Sequence, residues 1–322
     1  MSVVQTISVK PADADQRLDR WFKQHFPALS FGHLQKLLRT GQIRVGGKRA
    51  KADYRLLAGD QIRIPPMGEM ALPMKKPLPA PPRSEDVQML QDAVLYKDDH
   101  VIVINKPPGL AVQGGTSIGK HLDGMLEALR FGASDRPRLV HRLDKDTSGV
   151  LVLARSRQAA AALALSFKDR KTRKTYWALV TGVPSPNEGE ITSMMEKDGE
   201  EDERVRPGDK GLKAITEYKV IENAGNALCW LALRPVTGRT HQLRVHCAQL
   251  GTPIISDGKY GSEDSFRDGI SSKLHLHARN IVIPHPVRGT IDVTAPLPPH
   301  MRETWALFEF DPNMRQDVFA DD

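Results

Sequence analysis

The chain has 322 residues, 40% hydrophobic and 26% charged, which describes a soluble globular protein and excludes a disordered or fibrous one. No window approaches the roughly 18 consecutive apolar residues of a membrane span. Residues 1–10 also lack the basic start and apolar core of a secretory signal, so a cytoplasmic protein without a membrane partner is expected. Its two cysteines, Cys229 and Cys247, are expected as free buried thiols. The net charge of +7 is unevenly placed: residues 1–65 hold 12 Lys and Arg against 5 Asp and Glu, and the remaining 34 basic and 34 acidic residues cancel. A cationic module ahead of a neutral body points to a polyanion partner, or to nothing more than a well-solvated basic surface.

In chain order, residues 16–40 read as two short helices. Leu18, Trp21 and Phe22 recur at helical spacing, as do Phe31, Leu34, Leu37 and Leu38 after Ser30, a candidate N-cap. Gly41 stops the second helix, residues 42–45 alternate as a strand, Gly46-Gly47 makes a tight turn and residues 58–64 form a last strand. Lys36, Arg39, Arg44, Lys48 and Arg49 lie on the helix and hairpin, where they can track a phosphate backbone. The segment resembles the S4 RNA-binding domain through Leu34–Gly41, the Val-Gly-Gly-Lys turn and the Gly-Asp-x-Ile strand. Its expected bounds are 16–65. Seven prolines between 65 and 84 then read as a semi-rigid extended linker, taken to run over 66–91.

The body is expected over 92–312. Residues 94–96 and 101–104 form a predicted hairpin, Asn105-Lys106-Pro107-Pro108-Gly109 a stiff loop, and 119–130 a helix. Ser156 caps an alanine- and leucine-rich helix that ends in the basic run 168–174, and 175–181 alternates as a strand. Residues 189–211 are acidic and poor in apolar side chains, as an exposed loop or hairpin excursion would be. Strands follow at 215–221, 227–233, 273–283 and 289–294, with a helix opening at Thr237 and a closing helix at 299–310. Strands outnumber helices and mostly follow one another directly, so the predicted class is α+β with a mixed, mainly antiparallel sheet.

The densest polar turn is His141-Arg142-Leu143-Asp144-Lys145-Asp146-Thr147-Ser148-Gly149, which runs into the apolar stretch 150–154. A carboxylate anchored at such a turn can serve as nucleophile or base, and Asp144 is the candidate, with Arg244 as a possible cationic partner. The competing reading is that Asp144 or Asp146 only caps the turn through backbone amides. Tyr176, beside cations, can stack a flipped base or simply pack in its sheet. His241, His246, His275 and His277 match no standard zinc spacing and are expected as core or hydrogen-bonding histidines, with no metal.

The turn resembles the central motif of the large-subunit ribosomal RNA pseudouridine synthase family. The likeness continues through residues 105–109, Lys174-Thr175-Tyr176-Trp177-Ala178, residues 237–246, residues 253–261 and Leu276-His277-Ala278, in the family's order. It implies an isomerase that converts uridine to pseudouridine in 23S ribosomal RNA through a flipped-out base, as a monomer and without cofactor or metal. Asp144, Tyr176 and Arg244 would be catalytic, and Arg142, His141, Lys174, Arg239 and His241 would bind substrate. The same chemistry on transfer RNA, or a non-catalytic RNA-binding assembly role, stays open. Gln113 stands where many members have histidine, and Ser256 where many have glycine. An aspartic protease would need a second Asp-Ser/Thr-Gly beside Asp146-Thr147-Ser148-Gly149, and the chain has none.

Overall fold

The computed structural model describes residues 4–66, 83–114, 120–197 and 204–320. They belong to two compact units, 1–80 and 81–322.

In the first unit, strands β1 (Gln5–Ser8), β2 (Arg44–Val45) and β3 (Gln61–Ile64) form an antiparallel sheet in the order β1-β3-β2. Helices α1 (Leu18–His25) and α2 (Phe31–Arg39) bury Leu18, Trp21, Phe22, Leu34, Leu37 and Leu38 in its core. The Ser30 hydroxyl accepts from the His33 N–H and caps α2. Two expectations change. The sheet includes β1, upstream of the expected boundary at 16. Phe31, expected on the apolar stripe, is 61% exposed, because it sits at the edge of the arc that Leu34, Leu37 and Leu38 turn inward.

The second unit opens with helix α3 (Ser84–Asp92), whose Leu90 is fully buried. Residues 84–91, expected as linker, are therefore part of the folded body, while residues 67–82 of that stretch lie outside the described residues. Strands β4 (Val94–Lys97) and β5 (Val101–Lys106), the short helix α4 (Leu122–Met125), β6 (Arg138–Leu139) and β7 (Ser148–Ala154) follow. Then come helix α5 (Arg157–Lys168), capped by the Ser156 hydroxyl, and β8 (Arg173–Thr181). The remaining elements are β9 (Glu188–Lys197), β10 (Val205–Pro207), β11 (Leu212–Ala224), β12 (Leu228–Pro235), α6 (Gln242–Gln249), β13 (Leu276–Pro284), β14 (Thr290–Thr294) and α7 (Pro299–Leu307). The stretch 189–211 is thus largely sheet, with β9 paired to both β10 and β11; its residues 198–203 lie outside the described ones.

Among the described residues one sheet runs β10-β9-β11-β12-β8-β13-β7-β5-β4, with β14 on β13 and β6 on β7. Every pairing is antiparallel except β13 with β7. The class is α+β. The apolar run in β7 is continuous because both faces are covered: Leu151 and Leu153 pack toward Leu122, Leu126 and Leu129, and Val150, Val152 and Ala154 toward Ala159 and Leu163. At the parallel junction Gly149 has φ +109°, and a Cβ there would lie 2.2 Å from the Ala278 carbonyl oxygen. That close approach sets where the polar turn before β7 emerges.

Candidate active site

The turn carrying Asp144 is held from below and from both flanks. Leu143 is buried in the core beneath it. Lys106, at the end of β5, is fully buried, and its ammonium donates to the carbonyls of Pro107 (2.9 Å), Leu110 (2.9 Å) and Lys145 (3.0 Å). Burial pushes the Lys106 ammonium down to about 7, against the pull of the Asp146 and Asp144 carboxylates. Only the protonated form can donate to all three carbonyls at once. On the other flank His141 accepts the Val152 N–H at Nε2 (2.8 Å) while its ring lies against Phe167. Burial, with nearby Lys174, pushes this imidazole down to about 3 and keeps it neutral.

So anchored, Asp144 keeps 21% of its side-chain surface exposed and lines a cavity of about 580 Å³. His241 faces it, Nε2 lying 3.9 Å from Asp144 Oδ1. His241 has φ +53°, a left-handed conformation unusual for a residue with a side chain, at the entry to α6. Tyr260 Oη accepts the Val205 N–H (3.0 Å) and lies 2.8 Å from His241 Nδ1. In the tautomer in which the tyrosine donates to Nδ1, the His241 proton sits on Nε2, toward Asp144. Burial lowers the His241 pKa and the Asp144 charge opposes this.

Arg244, read from the sequence as a possible cationic partner of Asp144, makes its hydrogen bonds to Asp257: Nε to Oδ2 at 2.8 Å and Nη2 to Oδ1 at 2.6 Å. Both groups are buried, at 5% and 1% exposure. Burial alone would raise the Asp257 carboxyl, but Arg244 and the N–H groups of Lys259 and Tyr260 hold it below the usual carboxylate range. Burial works against the Arg244 charge, and Asp257, with Asp144 at longer range, raises its pKa. Arg244 still lines the cavity, so a cation fixed by one carboxylate presents its field to another.

Tyr176, on β8, is half-buried in the cavity wall, and burial together with the Asp144 charge raises its hydroxyl pKa. Lys174, two residues earlier, also lines the cavity, with its ammonium pKa lowered by burial. Arg142 and Arg239 are exposed at the rim, and Arg239 Nε donates to the Lys213 carbonyl (3.1 Å). The structure thus brings Asp144, Tyr176, Arg244, Arg142, His141, Lys174, Arg239 and His241 around one cavity.

Sequence reasoning assigned no role to Lys106, Thr147, Gln242, Asp257 or Tyr260. Each lies inside a stretch that attracted attention, but its partners are distant in the chain. Gln242 uses both ends of its amide: Oε1 accepts from the Thr237 hydroxyl and the Arg239 N–H, and Nε2 donates to the Ile215 carbonyl and the Thr216 hydroxyl. The Thr-Gly-Arg-Thr-His turn is thereby clamped to β11. Thr147 lines the cavity at 2% exposure, and no described residue hydrogen-bonds its hydroxyl. The other buried histidines are hydrogen-bonded in the core: His246 to Thr216 and Ser193, His275 to Thr304, and His277 to Ser148 and the Ala295 carbonyl. Among the described residues no three His, Cys, Asp or Glu side chains are grouped to hold a metal ion.

Family comparison bears on this site directly. Residues 100–249 match the RNA pseudouridylate synthase model and residues 16–62 the S4 domain model. Ribosomal large subunit pseudouridine synthase C of Rickettsia conorii is 38% identical over 279 residues, covering 85% of this chain and 90% of the relative. The protein of that name from Vibrio cholerae is 36% identical over 312 residues, covering 93% and 95%. The chain belongs to the RNA pseudouridylate synthase family. The solved structure of human RNA pseudouridylate synthase domain containing 4 matches 69% of this chain and 95% of its own, with a TM-score of 0.59 and 27% identity. The chain is accordingly an RNA pseudouridine synthase carrying an S4 domain.

In that S4 domain Lys36, Arg39, Arg44, Lys48 and Arg49 are exposed. Arg44 is engaged with its own hairpin, donating to the carbonyls of Gly41 (3.1 Å) and Gly47 (3.3 Å).

Proposed function

We propose that this pseudouridine synthase acts on large-subunit (23S) ribosomal RNA, with Asp144 as its catalytic carboxylate. The observation carrying the site assignment is the convergence of Asp144, Tyr176 and the Arg244–Asp257 pair on one cavity rimmed by cations. The names of the two bacterial relatives, each covered over most of its length, carry the substrate assignment.

In this reading a uridine leaves its stack and enters the cavity, its ring against Tyr176 and its phosphates near Arg142, Lys174 and Arg239. Asp144 opens the reaction, by attack on the nucleoside or by removal of a sugar proton. The bond from sugar to nitrogen breaks, the uracil rotates, a bond from sugar to carbon forms, the proton on that carbon is released, and the freed ring nitrogen takes up a proton, so that no net proton is gained or lost. Reactant and product are isomers, so the stoichiometry calls for no second reactant. His241 offers its Nε2–H to the Asp144 carboxylate or to the developing uracil anion. The raised Tyr176 hydroxyl suits stacking better than accepting the released proton. The Thr147 hydroxyl is a candidate hydrogen-bonding contact to the uracil. On this reading the enzyme works as a cytoplasmic monomer.

The test is site-by-site pseudouridine mapping, by a chemical adduct that stops reverse transcription, in cells with and without the gene. Loss of signals in large-subunit ribosomal RNA, restored by the parent but not by Asp144→Asn, is expected. Loss confined to transfer RNA would overturn the target, and full activity of Asp144→Asn would overturn the catalytic assignment.

A further inference from the structure

A second cavity, of about 350 Å³, shares Arg244 as a lining residue with the first. Its wall includes Asp146 from the active-site turn, and Phe266, Ser272 and Lys273 from the segment after α6. Three features give it the character of a ligand site. Phe266 is 50% exposed although it faces a cleft, and Lys273 is exposed beside it. An aromatic face and an ammonium lining one cleft fit a base and its phosphate.

The wall is also pre-set. Ser256 takes φ +60°, where glycine is favoured, and its hydroxyl donates to the Ser271 carbonyl at 2.8 Å. Its N–H donates to the Ser265 carbonyl (2.7 Å), and the buried Ser265 hydroxyl accepts the Ser262 N–H (3.0 Å). Gly261 packs so closely that a Cβ would lie 2.5 Å from the Asp257 carbonyl oxygen. The segment bearing Phe266 is thus tied to the same turn that holds Asp257 and, through it, Arg244.

Finally, the cavity has a polar reader. Asp146 is exposed on the cavity wall and, when ionised, only accepts hydrogen bonds. It can accept from the exocyclic amino group of adenine, cytosine or guanine, whereas uracil offers it only the ring N3–H.

We infer that this cavity receives the nucleotide adjoining the target uridine, its base stacked on Phe266, its phosphate near Lys273 and its amino group on Asp146. The inference rests on the proposed reading of the first cavity as the uridine site. It makes the second cavity the place where sequence around the target is read, in favour of an amino-bearing base at one flank.

The test uses the full chain and a library of RNA hairpins with one fixed loop uridine and randomised flanks. Bound RNA is sequenced, and its pseudouridine content is measured separately. The parent should deplete uracil at one flank roughly five- to tenfold relative to the amino-bearing bases. Phe266→Ala should weaken binding roughly tenfold and flatten that preference, whereas Phe266→Trp, which keeps a stacking face, should retain both. No flank preference in the parent, or an identical profile in Phe266→Ala, would overturn the inference. A parent that shows the preference yet forms no pseudouridine would instead count against the reading of the first cavity, because the binding profile is read without turnover.

Discussion

Replacing Lys106 by methionine separates an anchoring role from a merely buried cation. Methionine fills much the same volume but leaves the carbonyls of Pro107, Leu110 and Lys145 without their donor. Three hydrogen bonds from a charged group, at roughly 1.5 kcal/mol each, come to about 4.5 kcal/mol. Relief from burying the ammonium returns part of that, so a net loss of about 3 kcal/mol is expected. Because the Lys145 carbonyl belongs to the residue after Asp144, the same change lets the Asp144 carboxylate drift. A displacement of about 1 Å there should lower kcat roughly 100-fold. Urea unfolding followed by tryptophan fluorescence reads the stability of the second unit, since Trp177, Trp230 and Trp305 lie in its core and Trp21 in the other. Turnover on a ribosomal RNA fragment reads kcat. A variant within about 1 kcal/mol and threefold in kcat of the parent would refute the anchoring argument.

Gly149→Ala should destabilise the second unit by about 3 kcal/mol or more, since its Cβ meets Ala278 backbone and its φ is left-handed; thermal melts would show this, and an unchanged melt would contradict the tight junction. Acid should unfold the same unit. Burial pushes His141, His275 and His277 down to about 3 and His246 to about 4, whereas an unfolded histidine titrates near 6.5. Below 6.5 the unfolded chain therefore binds more protons, so stability present at pH 7 falls as pH falls, by roughly 2 kcal/mol per histidine at pH 5. Intact circular dichroism down to pH 4 would argue against this. In the S4 domain, Lys36→Ala with Arg39→Ala should reduce the slope of log affinity against log salt by roughly 1.5, and filter binding at several salt concentrations would reveal an unaltered slope if neither meets phosphate.

Much of this protein is legible from local chemistry. Period and caps place α1, α2 and α5, because a helix stripe and a serine N-cap act within a few residues of each other. The continuous apolar run of β7 marks a strand buried on both faces, and the charged turn before it marks the candidate site. Side-chain pairing is different, because partners far apart in sequence leave no periodic trace. Lys106 looks like part of a proline loop until β5 and β7 are paired and its ammonium reaches the Lys145 carbonyl. Arg244 is visibly a cation near the site, but only the fold decides that Asp257 takes its hydrogen bonds and Asp144 receives its field. The tautomer of His241 depends likewise on Tyr260. Even Phe31, at correct helical spacing, stays outside because burial is set by what packs against a face and not by spacing alone. Sequence determined the elements and the candidate residues; tertiary structure decided which of them meet, since hydrogen-bond partners are selected by distance in space.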